Sequence, residues 1–235
     1  ARAELPPVRQ SARRVTMAAI FLLAILCWRD QSLPKDGRTW RMLLAQAFLN
    51  SIGAWTVLAW GQQYIDSGMA SVLNSTAPIF IFFITLLLAR HEPASPLKFI
   101  GACLGLIGVV LIIGVDVLNG LGQQVAGQVA ALSGALLYAG AAIYGKRFAH
   151  LPATVTAAGT MIWASIILVP ASLVLDQPWN LQPSAEAVLA AVTLGILCTG
   201  VALLIYFRLV NTLGSLGVAS QAYLRAGVGV MLGVI

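Results

Sequence analysis

From Gly68 to Ala89 the chain reads GMASVLNSTAPIFIFFITLLLA, an apolar run of membrane length interrupted in its middle by polar residues and a proline. Proline has no N–H, so Pro78 leaves the carbonyl of Asn74 without its helical partner, next to an amide side chain that is itself polar. Unpaired polar groups in hydrocarbon cost several kcal/mol, and irregular backbone is tolerated at that depth where it packs against protein or lines a wet cavity. The stretch Tyr64 to Ala89 therefore reads as a spanning helix and as the candidate wall of a binding site, with Pro78 as its kink.

The rest of the chain has the same character. Of 235 residues 59% are hydrophobic and 9% charged, where a soluble domain carries roughly 25% charged residues. Apolar segments run from about Val15 to Trp28, Trp40 to Gln62, Gly68 to Ala89, Leu97 to Val115, Gly127 to Gly145, Ala153 to Leu175, Ala185 to Phe207, and onward from Leu216. Each approaches or exceeds the roughly 20 residues a helix needs to cross hydrocarbon, without the alternation of an outer-membrane barrel. The expected fold is an all-α membrane protein, a polytopic bundle of about eight transmembrane helices.

Several function classes are excluded at this level. The net charge of +6 comes from residues at helix ends rather than from a basic face interleaved with aromatics, so no nucleic-acid partner is expected. Cys27, Cys103 and Cys198 lie in apolar segments without metal-ligand spacing and read as inert thiols. His91 and His150 sit at loop ends, and no zinc-protease, nucleophile-elbow or phosphate-loop motif is present. No catalytic residue, metal or cofactor is expected, and the chain is not read as an enzyme.

Basic residues also set an orientation. The loops after the odd-numbered segments hold Arg29, Lys35, Arg38, Arg41, Arg90, Lys98, Lys146, Arg147 and Arg208, whereas those after the even-numbered segments hold Asp66, Asp116, Asp176 and Glu186. The first set is expected inside. Arg9, Arg13 and Arg14 are exceptions: this scheme puts them outside, which counts against it or marks a special role.

A shift of about 149 residues aligns Gly68-x-Ala70-Ser71 with Gly217-x-Ala219-Ser220, and Thr76 with Arg225. The shift spans an odd number of segments, so the second copy enters the membrane in the opposite sense, and inverted repeats with polar, broken helices at the midplane are a transporter plan.

Residues Ala70 to Ile113, with Ser71, Pro78, Glu92, Gly101 and Gly108, resemble the EamA-like domain of the drug/metabolite transporter superfamily. The resemblance returns at Leu194-Gly195, Thr199, Tyr206, Arg208 and Tyr223-Leu224. It implies two inverted repeats, residues 1–120 and 121–235, in a ten-helix plan of which this sequence lacks the first and last helices. It also implies a multi-pass inner-membrane transporter working by alternating access, which exports small metabolites such as amino acids or related compounds. The competing class is a non-transporting membrane scaffold or an intramembrane enzyme. The partners expected are a small-molecule substrate and the lipid bilayer, and a homodimer is among the assemblies open to it. Ala226 and Gly227 stand where the family has its second proline.

The candidate substrate-binding residues are Asn50, Asn74, Ser75, Tyr138, Tyr206, Gln221 and Arg225. A charge at a helix centre costs on the order of 2.5–3.5 kcal/mol on insertion scales, so Arg225 is expected to face a cavity and attract a carboxylate or phosphate. Gln46, Asn50, Gly53 and Trp60 form a polar stripe at helical spacing that is expected to point inward. Tyr138 interrupts a small-residue face of Gly127, Ala131, Gly134, Ala141 and Gly145. Helix-to-helix hydrogen bonding or simple packing is the competing reading for the uncharged candidates, and pairing with backbone carbonyls, snorkelling or a partner on a missing helix for Arg225.

Overall fold

The computed structural model describes residues 7–88, 96–176, 189, 192–224 and 228, and every element among them is helical. Among the described residues seven helices are long and apolar enough to cross a membrane, at Ser11–Trp28, Gly37–Gly61, Ser67–Leu87, Pro96–Ile113, Val125–Phe148, Ala153–Val174 and Val192–Ala219. This is a multi-pass helical membrane protein. The eighth expected segment is described only to residue 224 and at 228.

The spans are built from α1 (Pro7–Trp28), α2 (Gly37–Ala47), α3 (Gly53–Gly61), α4 (Ser67–Asn74), α5 (Ala77–Leu88), α6 (Pro96–Ile113), α7 (Val125–Gly145), α8 (Ala153–Asp176) and α9 (Ala202–Ala219). Two spans contain a π-helical turn. Phe48–Ile52 joins α2 to α3, and Ile196–Val201 leads into α9. Gly214, at φ 79°, bends α9 near its end, a conformation that glycine adopts without Cβ strain.

The helices form two compact units. One comprises Ala1–Ile52 with Arg147–Asn211, the other Gly53–Lys146 with Thr212–Ile235. Each draws on both halves of the sequence.

In the first unit α8 packs along α1 and α2, and the π-turn Ile196–Val201 packs on α1. Val15, Ala18, Leu22, Leu43, Ala157, Ala158, Met161 and Ala164 are buried. The Trp163 indole N–H donates to the Trp40 carbonyl at 3.0 Å, and the two rings meet edge to face. Asp36 caps α2, its carboxylate accepting from the Thr39 N–H at 2.7 Å. The Thr39 side-chain bond, reinforced by the backbone bond, holds the Asp36 carboxyl below the usual carboxylate range. Asp36 lies outside the spans, and its depressed folded pKa fixes the sign. Its contribution is present above the unfolded carboxylate pKa, near 3.9, and is lost as pH falls through the folded value. Amide exchange in the first turn of α2 is expected to quicken in Asp36→Ala at neutral pH, with the difference from native protein shrinking as pH falls through the folded pKa. Asp36→Asn should stay protected at neutral pH and lose the native protein's acid-side dependence.

In the second unit α7 is the centre, with α3, α4 and α5 packed against it and α6 against α5. Small residues make that possible. Gly127, Ala131, Gly134, Ala135, Ala139, Ala141, Ala142 and Gly145 are all buried. A Cβ on Gly61 would stand 3.0 Å from both the Gly127 carbonyl oxygen and Ala130 Cβ, so α3 and α7 touch backbone to backbone. Gln128 fastens the start of α7, donating to the Gly120 carbonyl at 2.7 Å and accepting from the Gly122 N–H at 3.2 Å. On α6, Leu97, Ile100, Leu104, Ile107 and Leu111 are exposed, as suits a lipid-facing helix. On the same helix the Tyr223 ring lies on Gly105, whereas Gly101 has open space beside it.

The stripe on the second span departs from expectation at one end. Gln46, Asn50 and Gly53 are buried, but Trp60 is 46% exposed, its ring tilted against Tyr64 at a centroid distance of 5.0 Å. A π-turn accommodates one residue more than an α-turn, which rotates everything beyond it by about 100° relative to an unbroken helix. The stripe drawn at α-helical spacing therefore holds through Gly53 and is lost by Trp60.

Candidate functional site

The span Ser67–Leu87 is broken at Ser75–Thr76, near its centre, between α4 and α5. Three features of the sequence act together there. Pro78 lies in the first turn of α5, where its fixed φ suits a helix start and its missing N–H withdraws the bond that Asn74 would otherwise receive. The Ser75 hydroxyl donates to the Ser71 carbonyl at 2.8 Å, and the Thr76 hydroxyl to the Leu73 carbonyl at 2.6 Å. Such back-bonding by Ser and Thr bends a helix and supplies partners near the opening. Backbone bonds re-form quickly, with the Ser75 N–H on Ser71 and the Ile79 N–H on Thr76, both at 2.9 Å. The kink is thus a built turn rather than a gap.

Asn74 is the exception. Its side-chain oxygen is buried and has no hydrogen-bond partner among the described residues. The hydroxyls of Thr85 and Ser165 share that condition, but only Asn74 stands at a break in a span. A buried unsatisfied carbonyl costs roughly 1–3 kcal/mol, and water or a polar solute reaching it removes that cost.

The other candidates divide between the units. Ser75, 3% exposed, shares the second unit with Tyr138 and Gln221. Tyr138 is half-buried on α7, the helix against which α4 and α5 pack. Gln221 is exposed. Arg225 lies outside the described residues, as do Glu92, Ala226 and Gly227. Asn50 and Tyr206 belong to the first unit. Asn50, 6% exposed, sits in the middle of the π-turn Phe48–Ile52, its amide nitrogen 3.4 Å from the Ser51 hydroxyl. Tyr206 is half-buried, its ring edge-on to Phe207.

One group escaped the sequence reading. Arg14 on α1 donates through Nε to the Thr199 hydroxyl and through Nη2 to the Cys198 carbonyl at 3.4 Å, both in the second π-turn. The Thr199 hydroxyl donates in turn to the Leu194 carbonyl at 2.9 Å. Contacts advance in the same direction on both helices, from Arg14 and Met17 against Gly195 to Phe21 against Gly200, so α1 and the seventh span run parallel. Arg14's carbonyl faces Gly195 while its guanidinium reaches Thr199, one helical turn further into the span. The side chain extends inward instead of snorkelling out, against the usual cost of charge in hydrocarbon. Two signals in the sequence pointed here. The basic cluster at the head of the first segment broke the charge rule, and Thr199 lies 149 residues after Asn50.

Among the described residues no cluster of His, Cys, Asp or Glu could hold a metal ion.

Comparison with known proteins shows what this arrangement is similar to. Residues 1–114 match the EamA-like transporter family. The chain is 26% identical over 209 residues to the uncharacterized transporter YoaV of Bacillus subtilis, covering 88% of this chain and 71% of that protein. It is 26% identical over 228 residues to the uncharacterized inner membrane transporter YedA of Escherichia coli K12, covering 97% and 73%. An uncharacterized transporter of Archaeoglobus fulgidus is 28% identical over 232 residues, covering 94% and 76%. A solved crystal structure with 20% identity superposes on 99% of this chain and 81% of its own, with a TM-score of 0.81, which speaks to fold. The stretch that carries α1 to α6, including the broken third span, thus matches the EamA-like transporter family, and the named relatives are similar along most of the chain.

Proposed function

We propose that the protein is a secondary transporter of the drug/metabolite type in the inner membrane, moving small metabolites by alternating access. The observation that carries this reading is the broken span at Ser75–Thr76 with the unpartnered Asn74 oxygen beside it. A break in the regular helix and an open hydrogen-bonding group near the bilayer midplane are what a polar solute path requires. The family match and the relatives named as transporters agree with it.

The alternating halves are residues 1–120 and 121–235, related as inverted repeats. In support, the two π-turns end at Ile52 and Val201, separated by the same 149 residues as the repeated glycine and serine pattern. The solutes favoured are amino acids and related compounds, recognised by Asn50, Asn74, Ser75, Tyr138, Tyr206 and Gln221. Arg225 selects the anionic group.

Flux in proteoliposomes of amino acids and nucleotide-like solutes tests this reading. Native protein is expected to move a subset of them without ATP. Arg225→Ala should lower flux of the anionic members by roughly tenfold or more relative to neutral ones, as loss of a charge-assisted bond implies. No flux across a broad panel would remove the transport reading, and unchanged charge preference would remove Arg225 from the site.

A further inference from the structure

The second π-turn is joined to α1 by a charged side chain, and the proposed function leaves that contact unused. Within the seventh span, Ile196–Val201 is wound one residue wider than an α-helix. Two carbonyls in and beside this turn receive side-chain donors. Leu194 receives the Thr199 hydroxyl, and Cys198 receives Arg14. Thr199 is both donor and acceptor in this chain, since Arg14 Nε donates to its oxygen. The path runs from Arg14 to Thr199 to the backbone five residues back. Thr199 is 2% exposed and Gly200 beside it is buried, with the Phe21 ring of α1 closing over the glycine. Helix α1 therefore supplies the guanidinium, the carbonyl facing Gly195 and the ring that together shape this turn.

The repeat adds an independent argument. Under the 149-residue shift Asn50 and Thr199 occupy the same place, each in the middle of a π-turn and each buried. π-turns are rare and recur at functional sites. Finding one in each copy at matching positions marks both as parts of the transport machinery.

We propose that Arg14 is a positioning residue for transport. It holds the π-turn Ile196–Val201 in its wide form and fixes the Thr199 hydroxyl as the counterpart of Asn50. Its inward reach is the means by which α1 and the seventh span stay locked through this turn. The solute-facing consequence rests on the transport reading given above, but the latch itself does not.

Cys198, exposed and inside the turn, provides a reporter. In full-length protein with Cys27 and Cys103 replaced by Ser, the rate at which N-ethylmaleimide labels Cys198 is measured for native Arg14, Arg14→Gln, Arg14→Lys and Thr199→Val. Flux is measured alongside in proteoliposomes. Arg14→Gln keeps a donor without the charge, and Thr199→Val keeps the shape without the hydroxyl, so each variant probes the latch by a small change. Labelling is expected to change several-fold in Thr199→Val, and less in Arg14→Lys than in Arg14→Gln. The double variant Arg14→Gln/Thr199→Val should label and transport no worse than the more impaired single variant, because both changes break one coupled unit. Labelling unchanged in Arg14→Gln and Thr199→Val overturns the latch whatever the flux does. Independent, multiplicative effects in the double variant overturn the coupling. Absence of flux in native protein, with labelling behaving as expected, leaves the latch standing and removes the transport reading alone.

Discussion

Gly127→Leu is expected to unfold the second unit or cut its stability severely, whereas Gly101→Ala on a neighbouring span is expected to be tolerated. A Cβ on Gly127 would stand 2.9 Å from Tyr64 Cβ and from Ile65 Cγ2, and 3.0 Å from the Gly61 carbonyl oxygen. Two of these three atoms are backbone or bonded to it and cannot swing aside. A leucine there must push α3 off α7, and overpacking of this kind costs about 1–3 kcal/mol or more. The loss would spread, because α4 and α5 pack on the same helix. Gly134→Leu meets Leu58 Cγ at 2.6 Å, a side chain with some room to turn, and should be milder. Gly101 has nothing within 4 Å of a new Cβ, so alanine there gains helix propensity, up to about 1 kcal/mol. Thermal unfolding of the purified protein in detergent, followed by loss of monodispersity, gives the ranking.

The second large effect has opposite signs in stability and in function. Asn74→Leu is expected to leave the fold intact or make it firmer while lowering solute flux by roughly tenfold. The amide oxygen of Asn74 is buried without a partner among the described residues, and replacing an unsatisfied polar group by an apolar one of similar size is neutral or stabilising. Were Asn74 a bond between helices, its removal would weaken the protein, by about 1 kcal/mol on the scale of interhelical hydrogen bonds. Ser75→Ala separates the two roles further. Its hydroxyl is committed to the Ser71 carbonyl, so this change should loosen the bend and affect flux through geometry alone. Stability and flux measured on the same preparations distinguish these outcomes.

The spans were legible in the sequence because hydrocarbon imposes length and polarity on every helix that crosses it. Gly127 to Gly145 lies within two residues of α7, and Val15 to Trp28 shares its end with α1, which begins eight residues earlier at Pro7. The break near Pro78 was legible too, since a missing N–H is a covalent fact. Its location was not: the turn falls at Ser75–Thr76 because their hydroxyls bond back to the preceding turn. The small-residue face of α7 also read correctly, as a surface for close approach.

The π-turns did not read through. A one-residue widening leaves no compositional mark, so the stripe from Gln46 to Trp60 was extended past the point where the helix changes phase. Arg14 was visible only as an exception to a charge rule. Its partner is 185 residues away in sequence, at Thr199, and parallel packing of α1 with the seventh span is what brings the two together. Of the candidate residues, Asn74 and Ser75 adjoin at the bend, while Asn50 occupies its own π-turn. Arg225 was read from sequence alone and stands outside the described residues.

The central claim is that the bend at Ser75–Thr76 opens onto water in the path of a transported solute. Asn74→Cys, in a background where Cys27, Cys103 and Cys198 are replaced by Ser, tests it directly. The rate at which a membrane-impermeant, charged maleimide labels this thiol in proteoliposomes is measured with and without the transported solute. The account predicts labelling from the aqueous phase that slows as solute is added, at concentrations matching those that saturate flux. A thiol that only a membrane-permeant apolar reagent can reach, at a rate indifferent to solute, would contradict it.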